Sequence, residues 1–328
     1  MTAEPAAVPA SILDRLSRLG FGGAPLGNLF TAVDDATARA AVDAAWECGI
    51  RYFDTAPHYG LGLSERRIGE ALRERPRAEF VLSTKVGRAL DPVSGDSVPV
   101  GAKDDQGFDV PAAYLRRWDF SADGVRRSIE ESLGRLGLDH IDIAYIHDPD
   151  DHVEQALDEA YPALEKLREE GILGAIGVGM NQSAVPTRFV TETDIDVVLL
   201  AGRYTLLDES GADDLLPAAL ARGVAVILGG VFNSGLLADP RAAATYNYEP
   251  APAEVIKRAL AIEEVCVSHG VPLRAAALRF GLTHPAVVSV LVGVRDAEQA
   301  RDCAAMAGVT VPETLWRDLR ERGLLREA

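Results

Sequence analysis

Tyr52-Phe53-Asp54-Thr55-Ala56-Pro57-His58-Tyr59-Gly60 is the stretch on which the fold turns. Residues 50–53 read as a short buried strand, Asp54 and Thr55 change its chemistry abruptly, and 56–60 read as a loop. A carboxylate ends the strand and a phenol follows five positions later. In a barrel of parallel strands, the C-terminal strand ends and the loops after them face the substrate, so this pair is a candidate constellation. Taken alone, the stretch fits equally well with Asp54 capping a helix that begins near Ser64 and Tyr59 packed as a loop aromatic.

The flanking sequence repeats strand then helix. Upstream, Leu19-Gly-Phe-Gly-Gly23 reads as a strand running into a glycine loop through Asn28, and 34–47 as a helix ending at Gly49. Downstream come a helix over 64–74 and a strand over 80–86. Residues 87–120 break the rhythm with scattered Pro, Gly and Asp and with Tyr114, Trp118 and Phe120 near the far end, as a lid or binding loop, a disordered stretch or a loop of surface-packed aromatics would. Helices are then expected over 123–136, 154–170, 213–221, 252–268 and 272–280, and strands over 141–147, 175–180, 197–202, 224–230 and 287–293. Eight short, almost continuously apolar strands separated by helices close a parallel barrel, because strands buried on both faces lose polar alternation. The expectation is an α/β protein: one TIM (β/α)8 barrel domain over 1–328, with a long loop after strand three and a flexible tail over 1–12. An open doubly wound sheet would carry Gly-x-Gly-x-x-Gly after its first strand, and the glycines at 20, 22, 23 and 27 lack that spacing.

Hydrophobic residues make up 48% of the chain, ample for a large core. Lys and Arg total 33 against 50 Asp and Glu, a formal charge of -17, which argues against general affinity for nucleic acid or an anionic membrane. The first ten residues lack a basic, then apolar, leader pattern, and no eighteen apolar residues run together, so a cytoplasmic protein is expected. Cys48, Cys266 and Cys303 are odd in number and far apart, which reads as reduced packing residues.

Setting strands two, three and four side by side puts Asp54, Lys85 and His147 at one mouth, with Tyr59 folding back over them. Lys85 lies in an apolar strand, where its charge needs a partner, and Asp54 is the natural one. The ammonium then stabilises a Tyr59 phenolate and draws its pKa down from about 10, making an acid/base tyrosine. A neutral His147 imidazole would orient a substrate oxygen. The alternatives are a purely structural Lys85–Asp54 pair, a His147 that donates to Asp148, and a metal bound by His147-Asp-Pro-Asp-Asp-His152, which Lys85 would repel. The favoured reading contains no metal.

Asp54-Thr-Ala-Pro-His-Tyr59-Gly, Ser83-Thr-Lys85-Val, Ile141-Asp-Ile-Ala-Tyr-Ile-His147 and Leu291-Val-Gly-Val-Arg295 together resemble the aldo-keto reductases across nearly the whole chain. The resemblance implies a catalytic tetrad of Asp54, Tyr59, Lys85 and His147, and NAD or NADP laid across the barrel mouth. It implies cofactor contacts at Gly23, Asn181, Tyr204, Gly229, Gly230, Leu236, Gly293, Arg295, Asp296 and Gln299; separately, loop 87–120 can bring Trp118 toward His147 and Asp148, so Trp118 and Asp148 are the expected substrate contacts. The chain departs from the family pattern in three places. Gly179-Met180 precedes Asn181 where many members have Ser-Asn, Ala201 replaces a Gln before Tyr204, and Gly229-Gly230 stands where a tyrosine would stack under the nicotinamide. Asp296 directly after Arg295 disfavours a ribose phosphate and tilts the expectation toward NAD. Arg117-Trp-Asp-Phe-Ser121, Leu136-Gly-Leu-Asp139 and Ile176-Gly-Val-Gly-Met-Asn181 resemble the bacterial D-threo-aldose (L-fucose) dehydrogenase subgroup, whose neighbour oxidises pyridoxal. The implied partner is therefore a small cyclic hemiacetal, a sugar or pyridoxal. A cofactor-binding regulatory subunit with little turnover is the rival of another class.

Overall fold

The computed structural model describes residues 12–94, 99, 101–242, 245–247 and 249–327. The tail expected over 1–12 lies outside these residues, apart from Ile12, which opens a 3-10 turn, Ile12–Arg15. In chain order the strands are β1 (Leu19–Gly22), β2 (Tyr52–Asp54), β3 (Val81–Val86), β4 (Arg88–Pro92), β5 (Tyr114–Trp118), β6 (Ile141–His147), β7 (Leu173–Met180), β8 (Val197–Ala201), β9 (Ala225–Gly229), β10 (Thr245–Tyr246), β11 (Glu249–Pro250) and β12 (Val287–Gly293). Eight of them close a parallel barrel in the order β1-β12-β9-β8-β7-β6-β3-β2. All residues of β2, β3 and β6 are buried, as expected of strands with helices outside and packed side chains inside. The ladder pairs Asp54 with Ser83, Lys85 with Tyr145, and His147 with Gly179, which brings the three polar residues to the same end of adjacent strands.

Helices cover the outside. Ser121 accepts a hydrogen bond from the Gly124 amide to start Ala122–Leu136, and Gly137 ends that helix in the left-handed region at φ 67°. Gly62 occupies the N-cap of Leu63–Leu72, so Asp54 does not cap that helix and is free for other partners.

Several expectations need correction. Residues 87–120 are not plain loop: β4 and β5 pair antiparallel from Arg88↔Trp118 to Pro92↔Tyr114, a ladder hidden from periodicity by its Pro and Asp. The helix expected over 154–170 begins as Val153–Gln155, passes through a π turn at Ala156–Ala160 and continues as Tyr161–Glu169. Ala184–Glu192, Ala297–Ala307 and Glu313–Glu321 are further helices that the strand count alone did not require. Cys266 and Cys303 are buried, but Cys48 is exposed at the end of Asp35–Glu47 and does no packing. Among the described residues no helix is long and apolar enough to cross a membrane.

Candidate active site

Lys85 is the centre of the arrangement. Its Nζ donates to Asp54 Oδ2 at 2.7 Å and to the Thr55 carbonyl at 2.9 Å, and it lies 4.6 Å from the centre of the Tyr59 ring. Burial opposes the ammonium charge, yet Asp54 and then Tyr59, by charge and by hydrogen bonding, hold the Lys85 pKa above its ordinary value. Lys85 is therefore a cation within the barrel wall. Asp54 accepts a second hydrogen bond, from Ser83 Oγ at 2.7 Å.

Tyr59 reaches Lys85 because its loop turns back tightly. Gly60 adopts φ +61°, and a Cβ on Gly27 would stand 2.6 Å from the Tyr59 carbonyl carbon, so the loop and the segment after β1 touch backbone to backbone. Ser64 locks the return: its Oγ accepts from Thr55 Oγ1 at 2.8 Å and donates to the Gly23 carbonyl at 2.7 Å. The His147 ring stands perpendicular to that of Tyr59, with centres 6.1 Å apart. Burial first, and then the charges of Arg88 and Lys85, drive the His147 pKa well below its ordinary value, so the imidazole is neutral.

Sequence reasoning missed Arg88. It is half-buried, forms an ion pair with Asp148, donates to His58 Nε2 at 3.2 Å, and lays its guanidinium 4.5 Å from the centre of the Trp118 ring. Burial, with Arg88, Arg116 and Lys85 nearby, pushes His58 down to about 2. Nothing in one arginine following a glycine marks it in sequence. Trp118 does not line the cavity over Lys85: it is 47% exposed, stacks on Phe120, and reaches Asp148 only through Arg88. Phe108, from the same excursion, packs its ring 6.1 Å from Tyr59 and does line the cavity. The excursion is tied down by Phe30 donating from its amide to the Gly107 carbonyl, and by Arg116, which pairs with Asp104 and donates to the His58 carbonyl at 3.0 Å.

The cavity, of about 390 Å³, runs from Tyr59, Lys85, His147 and Asp148 to Asn181, Gly202, Gly230 and Asn233. Other residues predicted from sequence fall elsewhere. Gly23 is buried behind the site, its amide donating to the Asp54 carbonyl at 2.8 Å. Tyr204 packs on Phe280 with ring centres 5.0 Å apart, and Leu236 is fully buried in the core, so neither lines the cavity. Gly229 ends β9 just before the lining residue Gly230. Gly293 ends β12 beside Pro25, and beyond it Asp296 caps Ala297–Ala307, accepting from the Gln299 amide at 2.8 Å while Gln299 Oε1 accepts from the Arg295 amide. Among the described residues no three His, Cys, Asp or Glu side chains converge to hold a metal ion.

Residues 18–321 match the aldo/keto reductase family. D-threo-aldose 1-dehydrogenase of a Pseudomonas species is 46% identical over 98% of this chain and 98% of its own. Pyridoxal 4-dehydrogenase of Microbacterium luteolum is 40% identical over 94% of this chain and 95% of its own. The structure of a glycerol dehydrogenase from Gluconobacter oxydans superposes with a TM-score of 0.73 at 25% identity, covering 93% of this chain and 91% of that one. A match through eight barrel strands and along almost the full length of two named dehydrogenases leaves one assignment: this chain belongs to the aldo/keto reductase family and is an oxidoreductase of the NAD(P)H-using kind.

Proposed function

We propose that the protein is an NAD(P)-dependent dehydrogenase that oxidises the C1 hydroxyl of a cyclic hemiacetal, L-fucose or a related aldose in its pyranose form, to the 1,5-lactone. The observation that carries this reading is the Lys85 ammonium held between Asp54 and Tyr59 at the floor of one cavity. The identity to D-threo-aldose 1-dehydrogenase supports the substrate class.

Tyr59, as a phenolate stabilised by Lys85, takes the proton from the C1 hydroxyl. Neutral His147 orients the same oxygen by a hydrogen bond. As the C1–O bond to the hydroxyl oxygen gains its second pair, the C1 hydrogen departs with its electrons, and the ring, already closed through its own oxygen, becomes the lactone. When bound, the nicotinamide supplies the acceptor for that hydride. Arg88 and Asp148 give donors and acceptors to the other hydroxyls, and Phe108 offers an apolar face to C–H groups.

Residues on the far side of the cavity fit such a cofactor. Asn233 Oδ1, in the cavity wall, is buried without a hydrogen-bond partner among the described residues, as a group waiting for an amide would be. Gly202 and Gly230 both take positive φ and leave the backbone open to close approach. Asp296 beside Arg295 favours a free ribose hydroxyl over a phosphate, hence NAD over NADP, with Arg295 leaving NADP usable.

A turnover screen reading reduced-cofactor absorbance with NAD and NADP, against L-fucose, D-arabinose, L-galactose, L-xylose, D-glucose and pyridoxal, tests the reading. Reduction with L-fucose-like sugars is expected. Reduction with pyridoxal alone would move the substrate to the chemistry named for the second relative. Consumption of NADPH on simple aldehydes with no hemiacetal oxidised would replace the dehydrogenase reading by a general carbonyl reductase.

A further inference from the structure

Below Asp54 the barrel interior holds a run of hydroxyl groups that the reaction described above does not use. Ser83 Oγ donates to Asp54 Oδ1 at 2.7 Å, the Tyr52 hydroxyl lies 3.0 Å from Ser83 Oγ, and the Tyr145 hydroxyl lies 3.1 Å from that of Tyr52. Ser83, Tyr52 and Tyr145 are each fully buried, the two tyrosines among Val81, Ile143, Val197 and Ile227. Each hydroxyl owns a single hydrogen. Ser83 uses its own on Asp54, so Tyr52 must donate to Ser83, and Tyr145 must then donate to Tyr52. Counting hydrogens thus gives the run a direction, with three O–H dipoles aimed at Asp54 Oδ1 while Oδ2 receives Lys85. Burial keeps both phenols protonated, holding Tyr52 well above and Tyr145 above the ordinary value. In a low-dielectric interior such aligned hydrogen bonds polarise one another.

We propose that Ser83, Tyr52 and Tyr145 form a positioning relay that aims Asp54 at Lys85 and takes up part of the carboxylate charge, leaving more of the Lys85 field for Tyr59. This rests on the reading of Tyr59 as the proton-transfer group. Removing the Ser83 hydroxyl returns charge to Asp54, which then neutralises Lys85 more fully, and Tyr59 becomes harder to ionise. The effect weakens with distance along the relay, in the order Ser83, Tyr52, Tyr145. None of the three touches the substrate cavity.

The ionisation of Tyr59 is measured without substrate, as the phenolate absorbance gained on alkaline titration by each protein minus that of its own Tyr59→Phe derivative. Ser83→Ala is expected to raise the Tyr59 midpoint by about one pH unit, Tyr52→Phe by less and Tyr145→Phe by least, with Ser83→Thr restoring the wild-type value. The alkaline limb of the kcat/KM profile should move with the midpoint. A midpoint unchanged in both Ser83→Ala and Tyr52→Phe, with only Tm lowered, would overturn the relay and leave two buried tyrosines that merely satisfy each other. Should Ser83→Ala fail to fold, Tyr52→Phe keeps the ring in place and decides alone. Because the titration needs no turnover, failure of every hemiacetal in the screen would reject the proposed reaction while the relay was judged separately.

Discussion

The wall made by β2, β3 and β6 and the wall made by β7, β8 and β9 face each other across one cavity and are built on opposite principles. On the first, charges are buried and already partnered: the side chains of Lys85 and Asp54 are 2% and 4% exposed and bonded to each other. On the second, Gly179, Gly202 and Gly230 leave backbone bare, and Asn233 keeps an acceptor without a partner among the described residues. A group that must stabilise developing charge is best held rigid before the reaction, whereas a surface that receives a large ligand needs space and unspent hydrogen bonds. On the proposed reading the contrast separates chemistry from binding, and each wall can be broken without the other.

The largest expected effect comes from the first wall. Tyr59→Phe removes a hydroxyl and keeps the ring, so kcat should fall at least roughly a hundredfold while NAD(P) affinity, read by fluorescence quenching, stays put. Turnover near wild type would remove Tyr59 from the chemistry. On the second wall, Gly230→Val places a Cβ 3.1 Å from the Gly202 nitrogen at a φ of +62°. Its Kd for NAD(P) should rise roughly tenfold, about 1.4 kcal/mol, with the Tyr59 titration intact. An unchanged Kd would show that the cofactor lies elsewhere.

The polar wall also carries a pH signature. His58 and His147 are neutral in the folded protein, their pKa values depressed by burial and by nearby Arg88 and Lys85, whereas an unfolded chain protonates both near 6.5. The stability they contribute is complete above that value and is lost as pH falls toward the folded values, at about 1.4 kcal/mol per pH unit for each histidine. Denaturant melts between about pH 7 and about pH 5 should decline less steeply in His58→Gln; parallel declines would mean that His58 is charged in the fold. The smallest effect belongs to Asp296→Asn, expected to raise the NADP-to-NAD ratio of kcat/KM by roughly threefold, since part of that carboxylate is engaged in capping its helix. A ratio that does not move would show that Asp296 faces away from the ribose.

The two walls were also unequally legible before any coordinates. Asp54, Lys85 and His147 announce themselves, because a polar, ionisable side chain at the end of an apolar strand contradicts its surroundings, and the barrel geometry then dictates where they meet. The opposite wall has no such contrast. Tyr204 and Leu236 follow strands and were expected at the cofactor, but side-chain direction after a strand depends on turns such as Asn233 and Ser234, both at positive φ, which spacing does not reveal. Arg88 escaped notice because its importance lies in three partners distant in sequence, His58, Trp118 and Asp148. The β4–β5 ladder was masked by turn-forming residues at and around its strands.

Gly20 sits at the far end of the barrel interior from the cavity, and a Cβ there would stand 2.7 Å from the Tyr52 ring. Anyone engineering heat resistance would be tempted to fill such a spot, since small-to-large changes at unstrained glycines are a standard route to a higher melting temperature. Here the filled atom would push a ring whose hydroxyl leads through Ser83 to Asp54. Thermostability and pH optimum are thus not independent design variables in this barrel, and a library that varies its innermost layer would have to be screened for both at once.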